Sequence, residues 1–380
     1  MKACRKSLVF SCAGLLVSLP GWASIGTEQS GYGAKNITMG GASVALPYDA
    51  LATANNPAGM AKVGDRIDAN TRVFRGVAHN SYLDENNKNS INMTEVAPEM
   101  GFNHQLGERW TLGMAMYGAG MMANYSAPLL PIPGLKDFKA KLTVISLAPT
   151  ATYKVLDNLY VGVSPTLYYS VFHPQGLPGI ERHRDTATGW GTRIGVLWQV
   201  TPQFDLGLAY TPETRMSSFG HYRDNLLRSS DGRYDIVESY GLGAAWRPAS
   251  DWVIALDYLR YQWGGVDFLN KKSTTGFTDQ NVWRAGISYD ITDRLTWRMG
   301  YSYADDIYDG DYANGHFVGP AISNKSYSFG ASYRLNDGFE LVGGIERHQP
   351  KKLKGTGASS GSTLDVDYGF FVFSISKTFD

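Results

Sequence analysis

Apolar and polar residues alternate with a period of two through most of this chain, and the alternation restarts six times at near-regular spacing. Each restart is a short polar turn followed by an apolar opener: Trp110 (W-T-L-G-M-A-M), Leu159 (L-Y-V-G-V), Phe204 (F-D-L-G-L-A-Y), Trp252 (W-V-I-A-L-D-Y), Leu295 (L-T-W-R-M-G-Y) and Phe339 (F-E-L-V-G-G-I). The openers are 49, 45, 48, 43 and 44 residues apart. A repeat holding one hairpin, one short and one long connection predicts an up-and-down antiparallel meander. In the strand opened by Leu295, the residues Leu295, Trp297, Met299, Tyr301 and Tyr303 share one face, and Thr296, Arg298, Gly300 and Ser302 share the other. The strand before it sets Trp283, Ala285, Ile287 and Tyr289 against Arg284, Gly286 and Ser288. One apolar face, tight turns such as Leu156-Asp157-Asn158 at one rim, and long connections at the other describe a bacterial outer-membrane barrel.

The six tight turns join strands two to thirteen. A first strand near 67–78, whose partner lies near 95–105, and a final strand near 367–379 bring the total to fourteen. An even count returns both ends to the periplasmic side. The fold class expected is therefore all-β, a 14-stranded antiparallel transmembrane β-barrel over 66–380. A soluble β-sandwich or propeller is the alternative, but its alternating strands would need a second apolar layer to pack against.

Composition fits this picture. With 380 residues and 43% apolar content the chain could bury a large core or span a membrane, yet it has no apolar run of membrane-helix length. A helical membrane protein is excluded; a barrel is not, because lumen-facing polar residues dilute the apolar ones. The 23 Tyr, 16 Phe and 9 Trp could furnish two interfacial girdles, and many of the 43 Gly fall within strands, where they permit bulges and close approach.

The first 23 residues read as a secretory signal. Lys2, Arg5 and Lys6 are followed by an apolar stretch over 8–19, and Gly21-Trp22-Ala23 places small residues at the cleavage positions, so processing is expected after Ala23. Lipidation at Cys12 is disfavoured by the few apolar residues before it. Both cysteines, Cys4 and Cys12, fall in the removed segment, which leaves no thiol chemistry in the mature chain. Removing three of 35 basic residues leaves 32 against 35 acidic, a balance of −3 that gives no reason to expect a nucleic-acid partner.

Residues 24–65 do not alternate. They run G-Y-G-A-K-N-I-T-M-G-G-A-S-V-A from Gly31, then D-A-L-A-T-A-N-N-P-A-G-M from Asp49. Fourteen strands tilted near 40° enclose a lumen of order 6,000 Å³, roughly the packed volume of some forty residues. The segment is thus sized to be an N-terminal plug, or hatch, inside the lumen. The alternative is a flexible periplasmic tail, which its Ile, Val, Leu and Met content argues against.

The Gly-rich opening, the stretch ending in N-P-A-G (Asn56, Pro57, Ala58, Gly59) and the strand starting directly afterwards resemble the FadL/TodX family of outer-membrane hydrophobic-compound transporters. R-M-G-Y-S-Y-A-D-D from Arg298 and Y-S-F-G-A-S-Y-R-L from Tyr327 are similar too. The last residues, with Phe371, Phe373, Ile375 and Phe379 on one face, look like a signal for the barrel-assembly machinery; Asp380 follows where the family commonly stops at the aromatic. The resemblance spans the whole mature chain. It implies a barrel closed by a hatch that carries long-chain fatty acids, or alternatively aromatic hydrocarbons of the toluene type, without energy coupling. It also implies capture outside, a lumen site, and exit sideways near strand three. Carried over by position, Asn56, Pro57, Ala58 and Gly59 form the hatch motif, the alternative being a purely structural turn.

Other sites are read from the residues. Pro98 in strand two and Gly118 and Gly120 in strand three mark where pairing could fail and open the wall; an ordinary barrel bulge is the alternative. Arg193, Arg284 and Arg298 fall on inward faces and could hold a ligand carboxylate, unless they serve lumen ion pairs with acids such as Asp257 or Glu340. An apolar outer loop over 121–135, with Met121, Met122, Leu129, Leu130 and Ile132, reads as a capture surface, or else packs onto the plug. The family's known capture groove uses the third and fourth outer loops, and the corresponding 172–188 and 215–233 look short.

The acidic run over 305–311 lacks the ligand spacing of an EF-hand loop and reads as a solvated outer loop. H-E-x-x-H does not occur, and neither an enzyme nor a metal or other cofactor is expected. An outer-membrane hydrolase built from separate strands stays formally open. A general diffusion porin is the stronger rival, but it gives the N-terminal segment no role. The expected partners are hydrophobic small molecules, outer-membrane lipid and lipopolysaccharide, for a chain acting as a monomer in the Gram-negative outer membrane.

Overall fold

The computed structural model describes residues 26–273, 275–320 and 322–379. The signal segment, its cleavage after Ala23, and Asp380 lie outside them. Fifteen strands follow in order: β1 Arg66–Ser81, β2 Lys88–Leu106, β3 Trp110–Asn124, β4 Lys139–Leu156, β5 Leu159–Phe172, β6 Asp185–Thr201, β7 Phe204–Thr211, β8 Ser239–Ala249, β9 Trp252–Tyr261, β10 Gln280–Asp290, β11 Leu295–Ala304, β12 Lys325–Arg334, β13 Phe339–His348, β14 Lys351–Lys354 and β15 Thr363–Thr378. All six apolar openers are the first residues of their strands.

Each strand from β1 to β12 pairs antiparallel with the next, β13 and β14 both pair with β15, and β1 pairs with β15 from Arg66–Thr378 to Ser81–Thr363, which closes the sheet. β14 is the far end of β13. Arg347 of β13 pairs with Gly369 and Lys351 of β14 pairs with Val366, so the two share one place in the wall, interrupted at Gln349-Pro350. Pro350 has no N–H to give the ladder. The wall therefore has fourteen strands.

Alternation sorts the side chains as the sequence predicts. Phe102, Met114, Leu256, Met299, Phe329 and Phe373 are exposed on the outside, where a membrane would cover them, while Asp68, Arg72, Glu99, Ser164 and Ser328 are buried inside. β2 begins seven residues before its expected start at 95. Over 88–94 the outward residues are Lys88, Ser90, Asn92 and Thr94, with Ile91 and Met93 turned in. There the alternation is inverted, because this end of the strand stands above the apolar band and packs its inner face under the outer loops.

Two further expectations are corrected. Met121 and Met122 are not in an outer loop: β3 continues to Asn124, paired with β4 through Asn124–Lys139. Nor is the fourth outer loop short. Residues 212–238 connect β7 to β8 and bring Met216, Phe219, Tyr222, Leu227 and Tyr234 into an apolar cluster with Trp263, Val266 and Phe277 of the next loop. β7 ends early, at Thr211, and leaves that chain to the loop.

Candidate functional site

Residues 26–63 are almost entirely buried and touch inward faces around the barrel. They form two single-turn helices, α1 (Ala34–Ile37) and α2 (Ala52–Asn55), then a 3-10 turn over Pro57–Lys62. With so few internal bonds, the segment takes its hydrogen bonds from the wall. Gly33 N donates to Glu99 of β2 (2.9 Å), Ala50 N to Asp68 of β1 (2.8 Å), and Gly40 N to Ser328 of β12 (2.8 Å). Ser43 N and Val44 N both donate to Asp257 of β9, at 2.6 and 3.0 Å. Lys35 pairs with Glu340 of β13, and Arg72 of β1 reaches Glu346 (3.0 Å), Ser30 (2.7 Å) and Gln29. Satisfying these buried groups in pairs offsets the cost of enclosing them.

Wall and segment fit closely because the wall lacks side chains where they meet. Gly162 faces Gly195 across β5–β6, Gly207 faces Gly243 across β7–β8, Gly286 faces Gly300 across β10–β11, and Gly330 faces Gly344 across β12–β13. A Cβ on Gly300 would lie 1.9 Å from Gly40 N, one on Gly195 1.9 Å from Asn56 Oδ1, and one on Gly207 2.2 Å from Val44 O. These eight residues form a glycine belt against which the backbone of the segment rests. Sequence reasoning saw abundant strand glycine but missed the belt, since the pairing appears only once register is known.

The N-P-A-G stretch sits on one belt pair. Asn56 caps the 3-10 turn, its Oδ1 accepting from Ala58 N at 3.1 Å, with Pro57 at the first position. Its Nδ2 donates to Val44 O (2.7 Å) and to Val196 O of β6 (3.0 Å). One side chain thus ties the turn to the rest of the segment and to the wall. Pro57 O accepts from Thr152 of β4 at 2.7 Å, and a Cβ on Gly59 would meet Pro47 at 2.7 Å.

Three strands back in the sheet order the wall is interrupted. β2 and β3 pair from Leu106–Trp110 to Met100–Met116, then again only at the isolated bridge Ile91–Tyr125. Both ends lie in one register, and among the described residues no ladder pair joins 92–99 to 117–124 across the interval. That register sets Pro98 opposite Gly118. Gly120 has φ +142°, and a Cβ there would lie 2.2 Å from Leu142 O of β4. Backbone left unpaired at membrane depth must find another partner. Here the N-terminal segment supplies it: Gly120 N donates to Thr27 O (3.1 Å), and Gln29 Nε2 to Gly118 O (3.4 Å).

The three inward arginines differ. Arg284 donates to Gly41 O (3.1 Å) and Gln29 O (3.4 Å), and Arg298 donates to Ser332 (3.0 Å) and lies over the Tyr48 ring. Both hold the segment or the wall together. Neither uses the ion pairs considered from sequence, for Asp257 and Glu340 bind the segment. Arg193 makes no hydrogen bond among the described residues. It stands near Glu28, Tyr32, Tyr117 and Tyr168, beside a cavity of about 30 Å³ that Tyr261 and Arg284 also line. Tyr32 donates to Glu28 at 3.0 Å, and burial raises the Glu28 carboxyl above the usual carboxylate range.

The proposed capture residues separate. Met122 and Leu129 are buried with Tyr125, Phe138 and Phe317, whereas Leu130 is half-buried and Ile132 exposed. Leu129 thus packs under other outer loops.

Residues 25–372 match the family described as outer membrane protein transport protein (OMPP1/FadL/TodX). No curated protein matches the chain. Among solved structures, the P. putida toluene transporter TodX is 20% identical, with 93% of this chain and 99% of that one covered and a TM-score of 0.72. The Ralstonia pickettii toluene transporter TbuX is 18% identical over 92% and 99%, at 0.69, and a Pseudomonas aeruginosa FadL homologue 16% identical over 90% and 97%, at 0.66. At these identities the structural likeness speaks to the fold, and the family match extends over nearly the whole chain. The chain belongs to the OMPP1/FadL/TodX family of outer-membrane transport proteins.

Proposed function

We propose that this chain is a passive uptake channel for hydrophobic compounds, in which residues 24–65 act as the hatch and the gap between β2 and β3 is a lateral exit. The observation that carries this reading is the missing ladder between 92–99 and 117–124, lined on the inside by Thr27 and Gln29 of the same segment that fills the lumen. A polar pore offers an apolar solute no favourable site; a side door into the membrane lets it leave without crossing water. The segment stops up the barrel and satisfies the edge of the door, so one rearrangement would both clear the lumen and free the exit. A general porin leaves these contacts without a purpose. A single chain closes the barrel, so a monomer suffices.

Arg193 supports a long-chain fatty acid as cargo. It is the one inward arginine of the three without a protein hydrogen bond among the described residues, and a carboxylate would satisfy it in place of Glu28. A second reading, a toluene-type aromatic, is favoured by Tyr32 and Tyr261 along the adjoining cavity. Uptake of labelled palmitate and toluene by cells with this chain as their sole transporter of the family tests both. Arg193→Gln is expected to cut palmitate uptake roughly tenfold, the loss of a charged hydrogen bond, and to leave toluene unchanged. Toluene uptake alone, in wild type, establishes the aromatic reading. No facilitated uptake of either, together with a large steady ion conductance, rejects the proposal in favour of a porin.

A further inference from the structure

The register of β13, β15, β1 and β2 lays out the outward face of the wall in rows. One row holds Ile345, Phe371, Val73 and Val96, all apolar. The next row toward the long-loop rim holds Arg347, Gly369, Arg75 and Thr94. The change from hydrocarbon-compatible to cationic takes place in one step. Higher still, Lys352 pairs with Asp365, and the last row holds Lys354, Thr363, Ser81 and Lys88. A surface concavity of about 620 Å³ opens among these upper residues, lined by Lys88, Lys352, Lys354, His79 and Glu85.

The cations are only partly spoken for. Arg75 donates to Thr94 at 3.2 Å, Arg347 donates to Tyr368 O at 2.9 Å and pairs with Asp367, and Lys352 lies 3.4 Å from Asp365. Five cations face three carboxylates (Asp365, Asp367 and Glu85) over this patch, an excess of two positive charges. Between the two guanidiniums stands Gly369, whose missing side chain leaves a notch between two forked donors. Guanidinium forks match phosphate oxygens in geometry as well as charge.

We infer that this face of the barrel is a binding site for the phosphorylated glycolipid of the outer leaflet, lipid A. Its acyl chains lie over Phe371 and Val73. One phosphate sits at the Arg75–Gly369–Arg347 notch and the second is met by Lys88, Lys352 and Lys354. Two phosphates answer the two levels of cations, and a glycerophospholipid with a single phosphodiester would satisfy only one. The site contains no residue of the N-terminal segment; its last column, Val96 and Thr94, lies on the β2 edge of the gap, but the five cations that would meet phosphate lie outside 92–99.

Native mass spectrometry of the purified barrel, titrated with bis-phosphorylated hexa-acyl lipid A, dephosphorylated lipid A and phosphatidylglycerol, tests the assignment. Wild type is expected to retain one bis-phosphorylated lipid A and to bind the other two at least about tenfold more weakly. Arg75→Gln with Arg347→Gln should remove that preference, and Lys352→Gln with Lys354→Gln should weaken it similarly in a barrel whose middle is untouched. Heat-modifiable gel mobility checks that each variant is folded. Equal retention by wild type and either folded double variant overturns the inference, as does phosphatidylglycerol binding as tightly as lipid A.

Discussion

Pro98 of β2 stands opposite Gly118 of β3, and the strands that carry them exchange no ladder bond there although their register is kept on both sides of the gap. Neither residue defends the ladder. Proline has no N–H and glycine adds no side chain to pack across it. β3 nevertheless stays paired with β4 along its whole length, from Trp110–Tyr153 to Asn124–Lys139. Its amides should therefore divide. Those over 117–124 that point toward β2 are expected to exchange hydrogen much faster than those over 110–116, and the Gly120 amide should be slowed by Thr27. Uniform protection along β3 would contradict an open seam.

The glycine belt predicts how the segment can be dislodged. Gly195→Ala places a methyl carbon 1.9 Å from Asn56 Oδ1, and Gly300→Ala does the same to Gly40 N. Overpacking of this kind costs about 1–3 kcal/mol, and it falls on the contact between wall and segment. Each variant should still form a heat-modifiable barrel but show raised conductance in planar bilayers. Gly343→Ala, with nothing within 4 Å of its Cβ, should behave as wild type.

Asn56→Ala removes a cap and two donors at once. The cap alone is worth about 1 kcal/mol, and the carbonyls of Val44 and Val196 lose their side-chain partner. Asn56→Asp retains the oxygen that accepts from Ala58 but not the donors. In their place a carboxylate oxygen faces the carbonyls of Val44 and Val196, so limited proteolysis after 45 should accelerate in both, more in the aspartate variant. Unchanged digestion would reduce N-P-A-G to an ordinary turn.

Asp49 gives the segment a dependence on pH. Burial, with Asp68 close by, pushes its carboxyl up to about 7. Unfolded, the same group titrates near 3.9. Between these values the folded chain holds a proton that the unfolded chain has released, so its contribution to stability falls as pH rises from about 4 to about 7 and is level above. Protease release of the segment should therefore be easier at pH 7.5 than at pH 5. Asp49→Asn, uncharged at both, should flatten that difference; an identical difference in the variant would assign it to another group.

Much of the wall was legible in the sequence because a membrane barrel writes its geometry into an alternation with period two. The six openers begin six strands, and the turn count yields fourteen. Legibility failed where alternation stops meaning lipid on one side. β2 over 88–94 turns polar residues outward, Met121 and Met122 belong to a strand covered on both faces, and 212–238 folds upon other loops. Pro98, Gly118 and Gly120 stood out locally, since each is a poor ladder residue in itself. The separation of Arg193 from Arg284 and Arg298 could not be read, because it depends on which backbone carbonyls of the N-terminal segment come within reach.

The most direct measurement closes the seam on demand. In a Pro98→Cys, Gly118→Cys chain whose cysteines are joined across the gap by a short cleavable thiol cross-linker, uptake of hydrophobic cargo should fall to the level of cells without the channel and return when the linker is cut. Undiminished uptake with the cross-link in place, in a barrel shown to be folded, would contradict exit through the wall between β2 and β3.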